Sequence, residues 1–249
     1  MRDSMLVAAV GLVLGAIVGQ AGAQVEVVFE QASRTAEGDT TNGYYSSILW
    51  NELLYDDASL DEHTNLHAVE SWGYGFEIDF EISVSLYADN AGEIGAMVAQ
   101  RTFLPGEFAV APTGGHVFSG HFEWNEELAT FELDPPMRMD GGQSYWIGIM
   151  GQTELGWSYD ALSGNDRIMY SNADGTDFWD QNDTDMAFRL LGEVAPPADL
   201  AEPYGTLDFT DVVAFLGAFS LGGSAADLAP PTGVLDYSDV VAFLTSFGG

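Results

Sequence analysis

The 249-residue sequence predicts a mainly β fold, an antiparallel β-sandwich of jelly-roll type followed by a small C-terminal pair of α-helices. Three features predict it. Between residues 25 and 194, many short β-prone runs are separated by Gly, Pro, Asp and Asn clusters, with no helical periodicity between them. One run alternates strictly, with Phe76, Ile78, Phe80, Ile82, Val84 and Leu86 on one face and Glu77, Asp79, Glu81, Ser83 and Ser85 on the other. A loop-helix unit also occurs twice at the C-terminus: Asp199 to Phe219 returns 28 residues later as Asp227 to Phe247, with 14 of 21 positions identical.

Taken in order, residues 1–23 are expected to be a secretory signal. Arg2 supplies the positive end, Met5 to Val18 is apolar, and Ala21-Gly22-Ala23 has the small-x-small form of a cleavage site before Gln24. The apolar run is shorter than the ~20 residues that span a bilayer. The mature chain is therefore expected to be secreted or held at the cell surface, with no membrane insertion after the signal is removed.

Residues 24–192 are the expected β domain. Its strands are read at Val25 to Phe29, Ser47 to Tyr55, Leu66 to Gly73, Phe76 to Leu86, Ala96 to Phe103 and Val117 to Trp124. Ala129 to Leu133, Ser144 to Met150, Gly156 to Tyr159, Arg167 to Tyr170 and Ala187 to Leu191 complete the set. Tyr87 to Gly92 carries turn chemistry. Residues 193–198, with Pro196-Pro197, read as a linker to the tail at 199–249, whose copies span 199–221 and 227–249.

Each tail copy joins a turn-rich acidic loop to a short helix. Phe209, Val212, Val213, Leu216 and Phe219 recur at helical spacing. Asp208 suits the N-cap and Asp211 the first turn, where the helix dipole favours negative charge; Asp236 and Asp239 repeat the arrangement. Gly205, Leu207, Asp208 and Asp211 also fit the back half of an EF-hand calcium loop, as do Gly233, Leu235, Asp236 and Asp239. The front half departs from that pattern. Leu200, Glu202 and Tyr204 stand where Asp or Asn would, Asp199 is displaced by one residue, and Pro230 replaces Glu202 in the second copy. The candidate ligands of a structural Ca2+ are thus Asp199, Glu202, Asp208, Asp211, Asp227, Asp236 and Asp239; a helix pair capped by the same acids is the other account of them.

Composition narrows the partners. The formal charge is −33, with no lysine and six arginines. Such a surface repels nucleic acid and anionic membranes and suits divalent cations or neutral glycans, and it equally keeps an exported protein soluble. Without cysteine there is no disulfide framework, thiolate chemistry or zinc-cysteine site.

The tail, "ADLAEPYGTLDFTDVVAFLGAF" and its second copy, resembles the dockerin type I module, and more closely the degenerate dockerin-like tails of planctomycete-type secreted proteins. The resemblance implies calcium-assisted folding and docking to a cohesin-like partner or cell-surface scaffold protein. Ser83 to Ala99, Phe131 to Ile149 and Asp185 to Gly192 resemble a recurring exported β-sandwich of bacterial surface proteins, which implies architecture and location only.

Two further patterns carry chemistry. Glu77-Ile78-Asp79-Phe80-Glu81 resembles the catalytic strand of laminarinase- and lichenase-type retaining β-glucanases, which implies Glu77 as nucleophile and Glu81 as general acid/base, with Asp79 between them. Strand alternation would place all three on one face, and a solvated acidic face accounts for them equally. Trp146, Trp157, Tyr159 and Trp179, beside Phe178, are candidates for stacking on a glycan ring, or else core residues. The stretch Asp174 to Asp185, with five aspartates, is a second calcium candidate or a solvated loop. Together these features predict a non-catalytic secreted or cell-surface protein with a recognition or structural module and a dockerin-like attachment module. The alternative is a retaining β-glucanase-like polysaccharide hydrolase using Glu77 and Glu81.

Overall fold

The computed structural model describes residues 25–33, 40–45, 52–76, 80–119, 121–151, 155–159, 167–172, 178–182 and 184–248. The signal read at 1–23 lies outside them. The strands are β1 Glu26–Gln31, β2 Thr40–Tyr45, β3 Leu53–Leu60, β4 Thr64–Tyr74, β5 Ile82–Asn90, β6 Glu93–Phe103 and β7 Ala109–Ser119. They continue with β8 Phe122–Met139, β9 Gln143–Gly151, β10 Gly156–Ser158, β11 Arg167–Ser171, β12 Phe178–Asn182 and β13 Phe188–Val194. Two helices follow, α1 Phe209–Leu221 and α2 Tyr237–Gly248. The chain is mainly β with a helical tail, as its composition of runs predicts.

Two sheets form. One has the order β12-β11-β3-β9-β5-β6; the other runs β1-β13-β4-β10-β2-β7-β8, and β8 returns to pair with β4. β4, β10, β2, β7 and β8 therefore close into a five-strand ring, a feature no local pattern announces. The pairing of β2 with β7 is parallel, Thr40 opposite His116, where the sequence expects antiparallel neighbours. The ring closes tightly at glycines. A Cβ on Gly73 would stand 2.1 Å from the Gly156 carbonyl oxygen, and one on Gly156 would stand 2.0 Å from the Tyr74 ring. Only a residue without a side chain allows this approach.

The two sheets share one apolar core. Leu54, Leu86 and Ile147 come to it from the six-stranded sheet, and Val69, Phe131 and Phe188 from the other. Burial of each such side chain contributes about 1.5–3 kcal/mol. Strand β4, buried along nearly its whole length, pairs with β8 on one side and with β13 on the other.

Boundaries depart from the sequence expectation in instructive places. In the alternating run β5 begins at Ile82, after Phe80 and Glu81, with residues 77–79 outside the described residues; Ile82, Val84 and Leu86 do face the core. β5 also runs through the expected turn to Asn90, because Tyr87 and Ala88 pair with Trp146 and Tyr145 of β9. The reversal comes at Ala91 and Gly92, both at positive φ, with the Gly92 N–H donating to the Asp89 carboxylate at 3.1 Å. The run read as one strand at Val117 to Trp124 is instead the hairpin between β7 and β8.

Next to the core sits a buried carboxylate. Asp56 Oδ1 accepts from the Asp57 N–H (2.7 Å) and Oδ2 from the Met186 N–H (2.6 Å), which pins the start of β13 to β3. Burial pushes the Asp56 carboxyl well above its ordinary range; the Met186 bond opposes this and the neighbouring buried Asp185 adds to it.

Candidate functional site

Side chains of the tail hold much of its own backbone. Asp208 is the N-cap of α1, accepting from the Thr210 N–H at 2.6 Å, and with Asp211 it completes a capping box. The Asp211 carboxylate accepts three backbone N–H groups: Leu200 (2.7 Å) and Ala201 (2.9 Å) on Oδ1, and Asp208 (2.8 Å) on Oδ2. Asp239 repeats this with Leu228 (2.8 Å), Ala229 (2.9 Å) and Asp236 (2.8 Å). Bonds to the charged form, that from Asp236 first, hold the Asp239 carboxyl below the usual carboxylate range. Gly205 and Gly233 supply the left-handed turns of the two loops, and their N–H groups donate to Asp199 and Asp227.

The helices join through Phe215 and Phe243, whose rings stack at 4.3 Å and 16°. The inward set on α1 is Val212, Phe215, Ala218 and Phe219, whereas Phe209, Val213 and Leu216 are exposed at 75%, 55% and 57%. This corrects the apolar face read from spacing. The helix is apolar around most of its circumference, so periodicity does not single out a face, and contact with α2 does.

A calcium ion requires six to eight oxygens. Asp211 and Asp239 spend their carboxylates on backbone donors, Asp208 and Asp236 cap helices, and Glu202 is exposed. What remains is one buried oxygen in each loop without a hydrogen-bond partner, Asp199 Oδ1 and Asp227 Oδ1. Among the described residues no group of three or more His, Asp or Glu side chains is gathered for a metal. In the folded loops these carboxylates are thus held largely by backbone donors, with one unpartnered oxygen left in each.

The first loop is seated on the β domain. Asn65 of β4 donates from Nδ2 to Asp199 Oδ2 at 2.5 Å, and Arg138 of β8 donates to Asn65 Oδ1 at 3.2 Å, its guanidinium 3.9 Å from the same carboxylate. Arg138 also lies over the Tyr204 ring, 5.8 Å from its centroid. The expected linker is packed rather than free: Glu193 and Val194 extend β13, and the Ala198 N–H donates to Ser246 Oγ at 3.1 Å. The two copies are thus inequivalent. Neither Asn65 nor Arg138 stood out in the sequence, though the change of Tyr204 to Thr232 between copies was a visible signal.

Positions matched between copies remain uncovered. Tyr237, Val241 and Leu244 of α2 are exposed at 78%, 44% and 60%, the counterparts of Phe209, Val213 and Leu216. Each helix therefore presents the same apolar stripe outward.

The other candidates are described only in part. Trp146 and Trp157 are each 1% exposed, with their indole N–H groups donating to Asp89 Oδ1 (3.0 Å) and the Ala187 carbonyl (2.8 Å), so neither offers a ring face to a sugar. Tyr159 packs against the core. Trp179 lies on β12, and its side chain is outside the described residues. Glu77 and Asp79 are likewise outside them, and Glu81 precedes β5 at an exposed position, off the strand that the three-carboxylate face requires. Of the acidic stretch 174–185, residues 174–177 and 183 lie outside the description, and Asp185 is fully buried, accepting from the Arg167 N–H at 3.0 Å.

No protein-family model matches the chain, and no curated protein matches it.

Proposed function

We propose that this chain is a non-catalytic secreted or cell-surface protein in which a β-sandwich-type recognition or structural module carries a dockerin-like attachment module. The observation that carries the reading is the apolar stripe repeated at matched positions on α1 and α2, left uncovered while Phe215 and Phe243 pack inside the tail. Large apolar side chains held outward on a rigid scaffold favour protein docking. On this reading the partner is a cohesin-like or cell-surface scaffold protein, and the tail holds its shape through Asp211, Asp239 and the stacked phenylalanines, calcium binding being weak or lost.

The test is binding of the purified mature protein to cell-envelope fractions of the producing organism, compared with the double variant Val241→Glu, Leu244→Glu. Loss of binding with retained helicity is expected. Unchanged binding would overturn the attachment reading. Turnover of mixed-linkage β-glucan or laminarin that disappears in Glu77→Gln or Glu81→Gln would overturn the non-catalytic one.

A further inference from the structure

A cleft of about 340 Å³ opens where β6, β8 and the start of β9 meet the first tail loop. Its walls carry apolar surface from Pro136, Met137 and the half-buried Tyr204, with Arg101, Asp140 and Glu202 at its polar positions. The volume lies at the small end of ligand pockets, enough for one or two rings.

Arg101 differs from two other arginines of the described residues, which have carboxylates close by: Arg138 faces Asp140 and Asp199, and Arg189 faces Glu30 and Glu70. Arg101 instead donates to the Asp134 carbonyl oxygen and lies 5.4 Å from the Phe103 ring centroid, with no carboxylate among the described residues paired to it. A half-buried guanidinium keeps most of its donors for an incoming anion, and a planar carboxylate matches its fork. Asp140 and the exposed Glu202 accept hydroxyl donors and repel a second negative charge. Tyrosine and proline faces suit the apolar face of a sugar ring. Desolvation, first among the causes, holds the Tyr145 and Tyr204 hydroxyls above their ordinary range, so both stay neutral hydrogen-bonding groups.

We infer that this cleft binds a single uronic-acid residue, its carboxylate on Arg101, its ring against Tyr204 and Pro136, and its hydroxyls on Asp140. The site deepens the recognition reading, on which it rests, by naming the ligand class. It also uses both parts of the chain, since Tyr204 belongs to the docked tail.

Titration of the full mature chain with galacturonic acid and with methyl galactoside, followed by calorimetry and by amide shifts around residues 99–102 and 204, tests it. Saturable binding of the uronate is expected, at least ten-fold tighter than the neutral sugar and weakened by salt. Arg101→Gln should remove that preference, and Tyr204→Ala should weaken both sugars, which serves if the first variant folds poorly. Equal binding of the two sugars, an unchanged preference in Arg101→Gln, or no saturable binding of the uronate would each overturn the site. A parallel panel of neutral glycans separates the two levels: a neutral glycan bound while the uronate is silent removes this cleft and leaves the recognition reading standing.

Discussion

Asn65 and Asp199, 134 residues apart in the chain, meet at 2.5 Å in a contact closed to solvent, the amide donating to the carboxylate that leads the first acidic loop. The first tail copy is thereby fastened to β4, and its leading acid has a structural task. The second copy, whose Asp227 accepts only from its own loop among the bonds identified, has no such attachment.

Asn65→Ala leaves Asp199 with the Gly205 N–H and a distant guanidinium. A buried hydrogen bond to a charged group contributes about 1.5–3 kcal/mol, and loosening of this order is expected at the junction. Hydrogen exchange at the Gly205 amide should quicken in Asn65→Ala and stay unchanged in Asp227→Ala. Unaltered protection in both would show that the loop is held by other contacts.

Asp211→Ala would strand three backbone donors at once. Orphaning buried N–H groups costs about 1–3 kcal/mol each at most sites, so the tail should melt well before the β domain, with the far-ultraviolet helical signal lost first. Asp239→Ala should act in the same direction on α2. A single unshifted melting transition would count against the carboxylate as the organiser of the loop.

Calcium should leave the protein unmoved. With Asp211 and Asp239 engaged by N–H donors, titration of the full chain is expected to give no saturable heat and no rise in melting temperature; saturable binding abolished by Asp199→Ala would place a metal at the unpartnered Asp199 oxygen.

Phe243→Ala removes half of the stacked pair at the centre of the tail. Truncation of a fully buried phenylalanine costs about 3–5 kcal/mol, more than a small helix pair can absorb. The near-ultraviolet signal of the β domain should persist while α1 and α2 lose helicity.

Two carboxylates set opposite pH dependences. Asp56, raised above its ordinary 3.8, holds its proton better in the folded chain, so its contribution is full below about pH 3.8 and is lost as pH rises toward the folded value. Asp239, lowered, contributes above about 3.8 and loses that as pH falls below it. Asp56→Asn is uncharged at every pH, and its melting temperature relative to the parent chain should therefore improve from pH 4 to pH 7. A constant difference across that range would mean that Asp56 is ionised in the folded protein.

The sequence by itself determined what depends on neighbours along the chain. Alternation at Ile82, Val84 and Leu86 set which side chains enter the core, the 28-residue repeat set two loop-helix units of one pattern, and Asp208 marked the start of α1, because caps and alternation are local physics. Only the tertiary structure decided the rest. The ring closes because β8 returns to β4, α1 turns Phe215 inward because Phe243 is there to stack on, and Asp199 binds Asn65 because a distant strand delivers the amide. Spacing in one copy cannot say whether a carboxylate will face an ion, its own backbone or another domain. That choice belongs to whichever donor the fold brings within 3 Å.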